Sequence, residues 1–325
     1  MSPTEVKKII RPPTVQVTSV GDMELRVVGL RMPLIEGKTD LAKLIVERAQ
    51  DALGGLRDGD VVVVTSKVLL KSLGLMVNVK DVKPSPRARL ISRLTGKDPI
   101  ETELVLRHSR RILFIAETGK LKEHADKLGK DPESARKAAE LVKAIMFVET
   151  SQGFIASDAG LDYSNLPEGK AIVCDYDFDS MARKLRQRIK EICGADVAVV
   201  VADTEFSLSN GKFGSTDVAV GSAGISPIDR EFGSEDLYGR PKFGGLDIIV
   251  DELCSTAALL MKQSGTGIPV VIVRGLNYEK SDIGTKEILI TRRRGLKLWR
   301  AFLKNLIVLS IARLLPGPPR PSPID

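Results

Sequence analysis

The segment "IASDAGLDYSNLPEG", residues 155–169, sets Asp158, Asp162 and Asn165 among small residues directly after an apolar run. Short polar side chains at a strand end serve tight turns, and they also serve as hard oxygen ligands for divalent metals. A second polar group closes "DVAVVVADT", where Asp203 and Thr204 offer a carboxylate and a hydroxyl as a buried strand emerges. A third is "MKQSGTGI": Lys262, Gln263 and the "SGTG" turn join a helical pattern to a strand, and backbone N–H groups in such a turn can face phosphate oxygens. The fourth is "VTSKVLLKSLG", with Lys67 and Lys71 four residues apart; on a helix both amines share a face. Taken singly, each is turn chemistry or a solvated lysine pair more often than a site. Taken together, they are the parts of a phosphoryl-transfer site in which a nucleotide is held through divalent metals. No G-x-x-x-x-G-K-[ST] sequence is present, which excludes a P-loop as the phosphate site.

Positioning these groups takes strands and helices, and the patterning supplies both. Residues 14–30 alternate as strands, and "DLAKLIVERAQDALGGL" has helical spacing with a Gly-Gly stop. The Val61–Val64 run has the pattern of a strand buried on both faces. Further helices are predicted at "PSPRARLISRLTG", "PIETELVLRHSRRIL", "DSMARKLRQRIKEICG" and "DELCSTAALLMKQSG", and strands at "AIMFVET", "GFIASD", "KAIVCDY", "DVAVVVADT", "TDVAVGSAGI", "LDIIVDE" and "IPVVIVRGL". Without a regular βαβ rhythm, the fold class reads as α+β or mixed α/β rather than a Rossmann-type sheet. "GLKLWRAFLKNLIVLSIARLLPG" reads as a basic amphipathic helix too interrupted by charge to span a membrane. Docking on its own body or on a second subunit is preferred over contact with a membrane surface. "PGPPRPSPID" reads as a disordered end.

At 325 residues the chain can bury a substantial core, and its length is nearer two domains than one. The net charge of +7 resides wholly in Lys286–Asp325, where nine Lys or Arg face Glu287 and Asp325. The rest is neutral overall, so composition gives no case for a specific nucleic-acid partner. The start lacks a long apolar region and no run of about 18 apolar residues occurs, from which a cytoplasmic protein is expected. Cys174, Cys193 and Cys254 are too far apart for a zinc knuckle or a disulfide framework, and His108 and His124, in charge-rich helical segments, read as surface residues. High charge with scarce Asn and Gln points to a thermophile.

The blocks "GDVVVVTSK…LLKSLG", "PSPRARLISRLTGKDPIETELVLRHSRRI", "QGFIASDAGLDYSN", "VVVADT", "STDVAVGSAGISPI", "EDLYGR", "DELCSTAALLM" and "PVVIVRGL", in this order, resemble the coenzyme F420-0:L-glutamate ligase (γ-glutamyl ligase) family, here as a diverged archaeal member. The resemblance implies a two-lobed ligase domain over residues 21–290 with an inserted helical segment near 117–143. Residues 1–20 would be an N-terminal extension, and 291–325 the basic helix and Pro-rich tail. It implies GTP-dependent attachment of L-glutamate to the lactyl phosphate side chain of the deazaflavin precursor F420-0 through an acyl phosphate. Two Mg²⁺ or Mn²⁺ ions per site, an assisting K⁺ and a homodimer are implied as well. By the same resemblance Asp162 and Asp203 are catalytic and hold the first metal, Thr204 and Gln263 hold the second, and Asn165 touches GTP. Nucleotide contacts would also come from Met32, Pro33, Leu34 and Ile35, from Ser66, Lys67 and Lys71, and from Lys262, Gln263, Ser264, Gly265, Thr266, Gly267 and Ile268. Asp158 falls to a structural role.

The chain also departs from the family pattern. "EFSLSNGKFGSTD" replaces an arginine-rich F-G-R-P-W-R stretch, Leu73 stands where a carboxylate is usual, Gln152 stands for His, and Asp158 for Asn. Two alternatives therefore stand beside the leading reading. One keeps the GTP chemistry with a different phosphorylated carboxylate as acceptor; the other is a non-enzymatic nucleotide-binding or membrane-associated protein.

Overall fold

A mixed six-stranded sheet with helices on both faces carries most of the groups singled out above. The computed structural model describes residues 14–18, 24–119, 121–124, 127, 130–207, 214–262 and 265–289. The expectations for Gln263, Ser264, the C-terminal basic helix and the Pro-rich tail lie outside the described residues, as does most of the N-terminal extension.

The chain enters through β1 (Thr14–Thr18) and β2 (Glu24–Leu30), then α1 (Leu41–Leu53), β3 (Val61–Thr65) and α2 (Ser66–Ser72). A short β4 (Val77–Asn78) leads to α3 (Pro86–Thr95), α4 (Pro99–Arg107) and β5 (Ser109–Glu117). Then come α5 (Pro132–Leu141), β6 (Ala144–Thr150), β7 (Ile155–Ser157) and β8 (Lys170–Ala171). The last elements are α6 (Phe178–Cys193), β9 (Ala198–Ser207), β10 (Gly214–Ala223), α7 (Ile249–Met261) and β11 (Val270–Arg274).

The large sheet has the order β1-β2-β11-β3-β9-β10, and β3–β9 is its one parallel pair among the described residues. The continuous apolar text of β3 follows from burial on two sides. Val62 and Val64 join a core with Ile45 and Ala49 of α1 and Leu185 and Ile189 of α6, whereas Val61 and Val63 join Leu253 and Ala257 of α7. All four valines are fully buried. Helix α1 starts at Asp40, whose carboxylate accepts the Lys43 N–H, and stops at Gly54 in the left-handed conformation. A second, three-stranded sheet in the order β5-β6-β7 packs Met146 and Val148 against Leu104 and Val105 of α4. The mixed α/β class is as the sequence predicts. Of the inserted segment, α5 buries none of its residues.

Three assignments differ from expectation. "SRRIL" continues no helix: α4 ends at Arg107, and the segment pairs with β6 as β5, because Ile112 and Phe114 find partners in Val148 and Phe147. "LDIIVDE" is no strand; α7 begins at Ile249, with Asp251 and Glu252 favourably placed in its first turn, and buries Val250, Leu253, Cys254, Ala257, Leu260 and Met261 on one stripe. "KAIVCDY" contributes only the two residues of β8 and a bridge from Ile172 to Asp162. His108 caps α4 half-buried, its Nδ1 3.3 Å from Asp175, while His124 is exposed.

At the edge of the fold remote from the polar groups, Asp60, 1% exposed, receives Arg274 Nε at 2.8 Å and Nη2 at 2.7 Å. This bidentate pair locks β11 to the entry of β3.

Candidate functional site

Strand register brings three of the four polar segments, and the segment after β2, to one edge. In the parallel pair Thr65 lies opposite Ala202, so the next residues, Ser66 at the start of α2 and Asp203 in β9, which runs on beside β10, stand side by side. The Ser66 hydroxyl donates to Asp203 Oδ1 at 2.9 Å. Strand β11 runs the other way and starts at the same edge, Val270 opposite both Val64 and Leu30. The turn before it and the segment after β2 therefore arrive together, and Met32 N–H donates to the Gly267 carbonyl at 2.9 Å.

Asp162 and Asn165 come from a different place, the loop between β7 and β8, and α2 fixes them. The Thr65 side chain caps α2, so Lys67 and Lys71 point from one face. Lys67 Nζ pairs with the Asp162 carboxylate and donates to Ser164 Oγ; Lys71 Nζ donates to the Asn165 carbonyl at 2.9 Å. Lys71 is 4% exposed, and burial, with the neighbouring Lys67 charge, holds its ammonium below the usual lysine range. Asp162 is held through its backbone by Ile172, with both N–H···O bonds formed. Gly160, at φ 66, lets the loop pass close to Cys174 and Asp203.

These elements enclose one cleft of about 470 Å³. Its walls carry Met32, Pro33, Leu34 and Ile35, then Ser66, Lys67 and Lys71, then Asp162 and Asn165, then Asp203 and Thr204, and finally Lys262, Gly265, Thr266, Gly267 and Ile268. Every described residue that the sequence proposes for the site is thus in it. Asp158 turns away: its carboxylate accepts Met146 N–H at 2.8 Å and Lys97 Nζ at 2.9 Å, a structural role.

The electrostatics centre on Asp203. Burial, with some repulsion from Asp162, pushes its carboxyl up to about 6 against the hydrogen bonds it accepts. Among the described residues no Lys, Arg or His forms an ion pair with it. A half-buried carboxylate offered donors by Ser66, Cys174 and the Thr204 N–H but no cation is suited to a divalent ion, as is the exposed edge of Asp162. Among the described residues no set of three or more His, Cys, Asp or Glu side chains is arranged to hold a metal by itself. Two carboxylates and a hydroxyl do fit a hard cation whose remaining ligands are phosphate oxygens and water, the usual arrangement for Mg²⁺.

Sequence reasoning missed Ser157, Asp217 and Glu205. Thr204 Oγ1 donates to Asp217 Oδ1 at 2.8 Å, directly across the β9–β10 ladder, a pairing only register reveals. Glu205 accepts both the Ser157 N–H at 3.0 Å and its hydroxyl at 2.8 Å, and burial with the Asp203 charge pushes its carboxyl up to about 7. Its signal was present: on a strand it shares a face with Asp203, two residues earlier.

A family model described as F420-0:Gamma-glutamyl ligase matches residues 29–275. The chain is 33% identical over 281 residues to the Coenzyme F420:L-glutamate ligase of Methanothermobacter thermautotrophicus, covering 86% of this chain and 100% of that relative. It is likewise 33% identical to proteins of the same name from Methanopyrus kandleri, covering 74% of this chain and 82% of the relative, and from Archaeoglobus fulgidus, covering 76% and 85%.

Proposed function

Because the chain belongs to the F420-0:Gamma-glutamyl ligase family, we propose that it joins L-glutamate to the carboxylate of coenzyme F420-0 in a reaction coupled to GTP hydrolysis. The observation that carries this reading is the convergence, on one cleft, of the segment Gly265–Ile268, Lys67 and Lys71, and Asp162 and Asp203.

In the reaction a carboxylate oxygen of the acceptor bonds to the γ-phosphorus of GTP as the bond to the β-phosphate oxygen breaks, releasing GDP. The amine nitrogen of glutamate then attacks the acyl carbon of the acyl phosphate, the carbon–oxygen bond to phosphate breaks, and the amine gives up a proton as the amide forms. Two negatively charged reactants must approach, so countercharge and orientation are the main demands on the protein. Lys71 and Lys67 place positive charge beside the cleft, and the Gly265–Gly267 turn offers backbone N–H groups to phosphate oxygens. Asp162, Asp203 and Thr204, with Gln263 from the sequence expectation, would hold the divalent ions. Bound Mg²⁺ or Mn²⁺ offsets negative charge on the transferring phosphoryl group; K⁺ is the expected auxiliary ion. The working form in this proposal is a homodimer. Leu237, Tyr238 and Phe243 are almost fully exposed on the segment before α7, a surface a second copy would cover.

A second reading keeps this chemistry and changes the acceptor; the altered "EFSLSNGKFGS" stretch, without the arginines of the family pattern, favours it. One experiment separates them. The protein is incubated with F420-0, L-glutamate, GTP, Mn²⁺ and K⁺, and mass spectrometry reads the products. One added glutamyl unit with matching GDP supports the first reading. GTP binding without that product supports the second, and absence of GTP binding refutes both.

A further inference from the structure

The outer face of the small sheet carries aromatic rings and runs into the wall of the cleft. On it Phe114 of β5 lies opposite Phe147 of β6, and Phe147 lies opposite Ser157 of β7, so the three form a row across the strands. The rings of Phe114 and Phe147 stack with centroids 4.4 Å apart and planes 14° from parallel. Phe206 of β9 meets Phe147 edge-on at 6.0 Å and 68°. Ser157 both ends the row and lines the cleft, and its N–H and hydroxyl are fixed by Glu205, the neighbour of Phe206. The platform is open: Phe114 is 52% exposed, and Ile155, on the same face of β7, is 69% exposed.

We propose that this platform is the ring subsite for the acceptor: a flat, fused aromatic head group stacks on Phe114 and Phe147 against Phe206, while its side chain passes Ser157 to bring the reacting carboxylate to Asp203. The assignment rests on the ligase reading above and locates the acceptor within it. Its dimensions suit the occupant. Neighbouring strands lie about 4.8 Å apart, so the row from Phe114 to Ser157 spans roughly 10 Å, the scale of a fused tricycle. Asp203 and Glu205 are separated by roughly 7 Å along one strand, a distance that a side chain of several bonds crosses. Glu149, opposite Ile155 on this face, is shared by Arg110 and Arg111, so the flank of the platform carries one positive charge in excess. A second copy of the chain is a poorer occupant, because a stable interface covers about 800 Å² per partner and this row is a few side chains wide.

The test uses the full chain with Phe114→Leu and Phe206→Leu, each first checked for native circular dichroism. Steady-state KM values for F420-0, GTP and L-glutamate are measured, together with the change in ring fluorescence when F420-0 binds without GTP. The expected result is a KM for F420-0 raised about 5- to 100-fold, the scale of lost ring stacking. KM for GTP and for glutamate should stay within about twofold, as should kcat, which identifies lost acceptor binding rather than damaged chemistry. Phe114→Tyr, which keeps the ring, restores the acceptor KM toward wild type. An unchanged acceptor KM in folded Phe114→Leu and Phe206→Leu, with an active wild type, overturns the subsite and leaves the ligase reading standing. Loss of self-association in Phe114→Leu at unchanged KM overturns it too and names a second copy as the occupant. A wild-type protein that forms no glutamyl product overturns the ligase reading first, and the subsite with it.

Discussion

Replacing Gly160 by alanine tests how the Asp162 loop is held against the Asp203 strand. Gly160 closes the turn Asp158–Gly160 at φ 66, directly after Asp158 and Ala159, which also have positive φ. A Cβ at this position would lie 2.6 Å from the Cys174 Cβ, 3.2 Å from Asp203 Oδ2 and 3.4 Å from the Cys174 Cα. The left-handed backbone costs a side-chain-bearing residue roughly 1–2 kcal/mol. Forcing an extra carbon into a packed contact costs about 1–3 kcal/mol more. Gly160→Ala should therefore destabilise the protein by about 2–5 kcal/mol in urea unfolding with chelator present. The two contributions separate in a cycle with Cys174→Gly. Removing that Cβ leaves contacts that small shifts accommodate, so the double variant should recover the overlap, a coupling of about 1–3 kcal/mol, and retain the backbone cost. Ligation should fall further than stability alone requires, because the displaced turn carries Asp162. A cycle additive within about 0.5 kcal/mol would refute the steric account and show that the loop moves freely past Cys174.

Further predictions concern charge. With chelator present, Asp203→Asn should be more stable than wild type at pH 8, on the order of 2–3 kcal/mol, and nearly equal at pH 4. A carboxyl raised to about 6 contributes stability that is present below its ordinary 3.8 and lost as pH rises through about 6. The same variant should lose ligation by about 100-fold or more, read by GDP release. Arg274→Met strands the buried Asp60 carboxylate and should cost about 3–5 kcal/mol in urea unfolding, whereas replacing both partners with apolar residues should cost less. Burial works against ionisation of Asp175, but hydrogen bonds from His108, Ser151 and Gln152 prevail and hold its carboxyl below the usual range. Asp175→Asn should consequently destabilise at pH 7, with the difference fading as pH falls below 3.8 through the folded-state value.

Much of the fold was legible because its strongest signals are local. A valine run between turn residues admits few interpretations, and β3 is buried on both faces as its text implies. The site was legible for a related reason: Lys67 and Lys262 each stand where a regular element ends, Asp203 stands where the fully buried part of β9 ends, and the helical spacing of Lys67 and Lys71 is a local property. What escaped depends on partners distant in the chain. "SRRIL" has helical residues on its left and a strand partner 38 residues away, with Arg111 opposite Glu149, and the distant partner wins. "LDIIVDE" has the composition of a strand until Asp251, in the first turn of α7, is seen accepting the Ala219 N–H of β10. Asp217 becomes a site residue only through its register with Thr204.

Topology also explains why the site needs its lysine pair. Ser66, Asp203, the Gly265–Gly267 turn and Met32 reach one edge because β2, β3 and β9 run the same way while β11 runs against them in fixed register. A slip of one residue in any of these strands would exchange its two buried faces, so the core itself holds those groups in place. The loop bearing Asp162 and Asn165 has no such guarantee. It follows β7, in the small sheet, is bridged at Asp162 to Ile172 just after β8, and meets the large sheet through Gly160 beside Asp203 and the two amines of α2. Lys67 and Lys71 therefore supply countercharge within the cleft and also bind the one segment that register does not place. The same arrangement accounts for the burial of Lys71. An ammonium held at a carbonyl with little access to water is a costly anchor, and it is spent where two sheets must meet at a carboxylate.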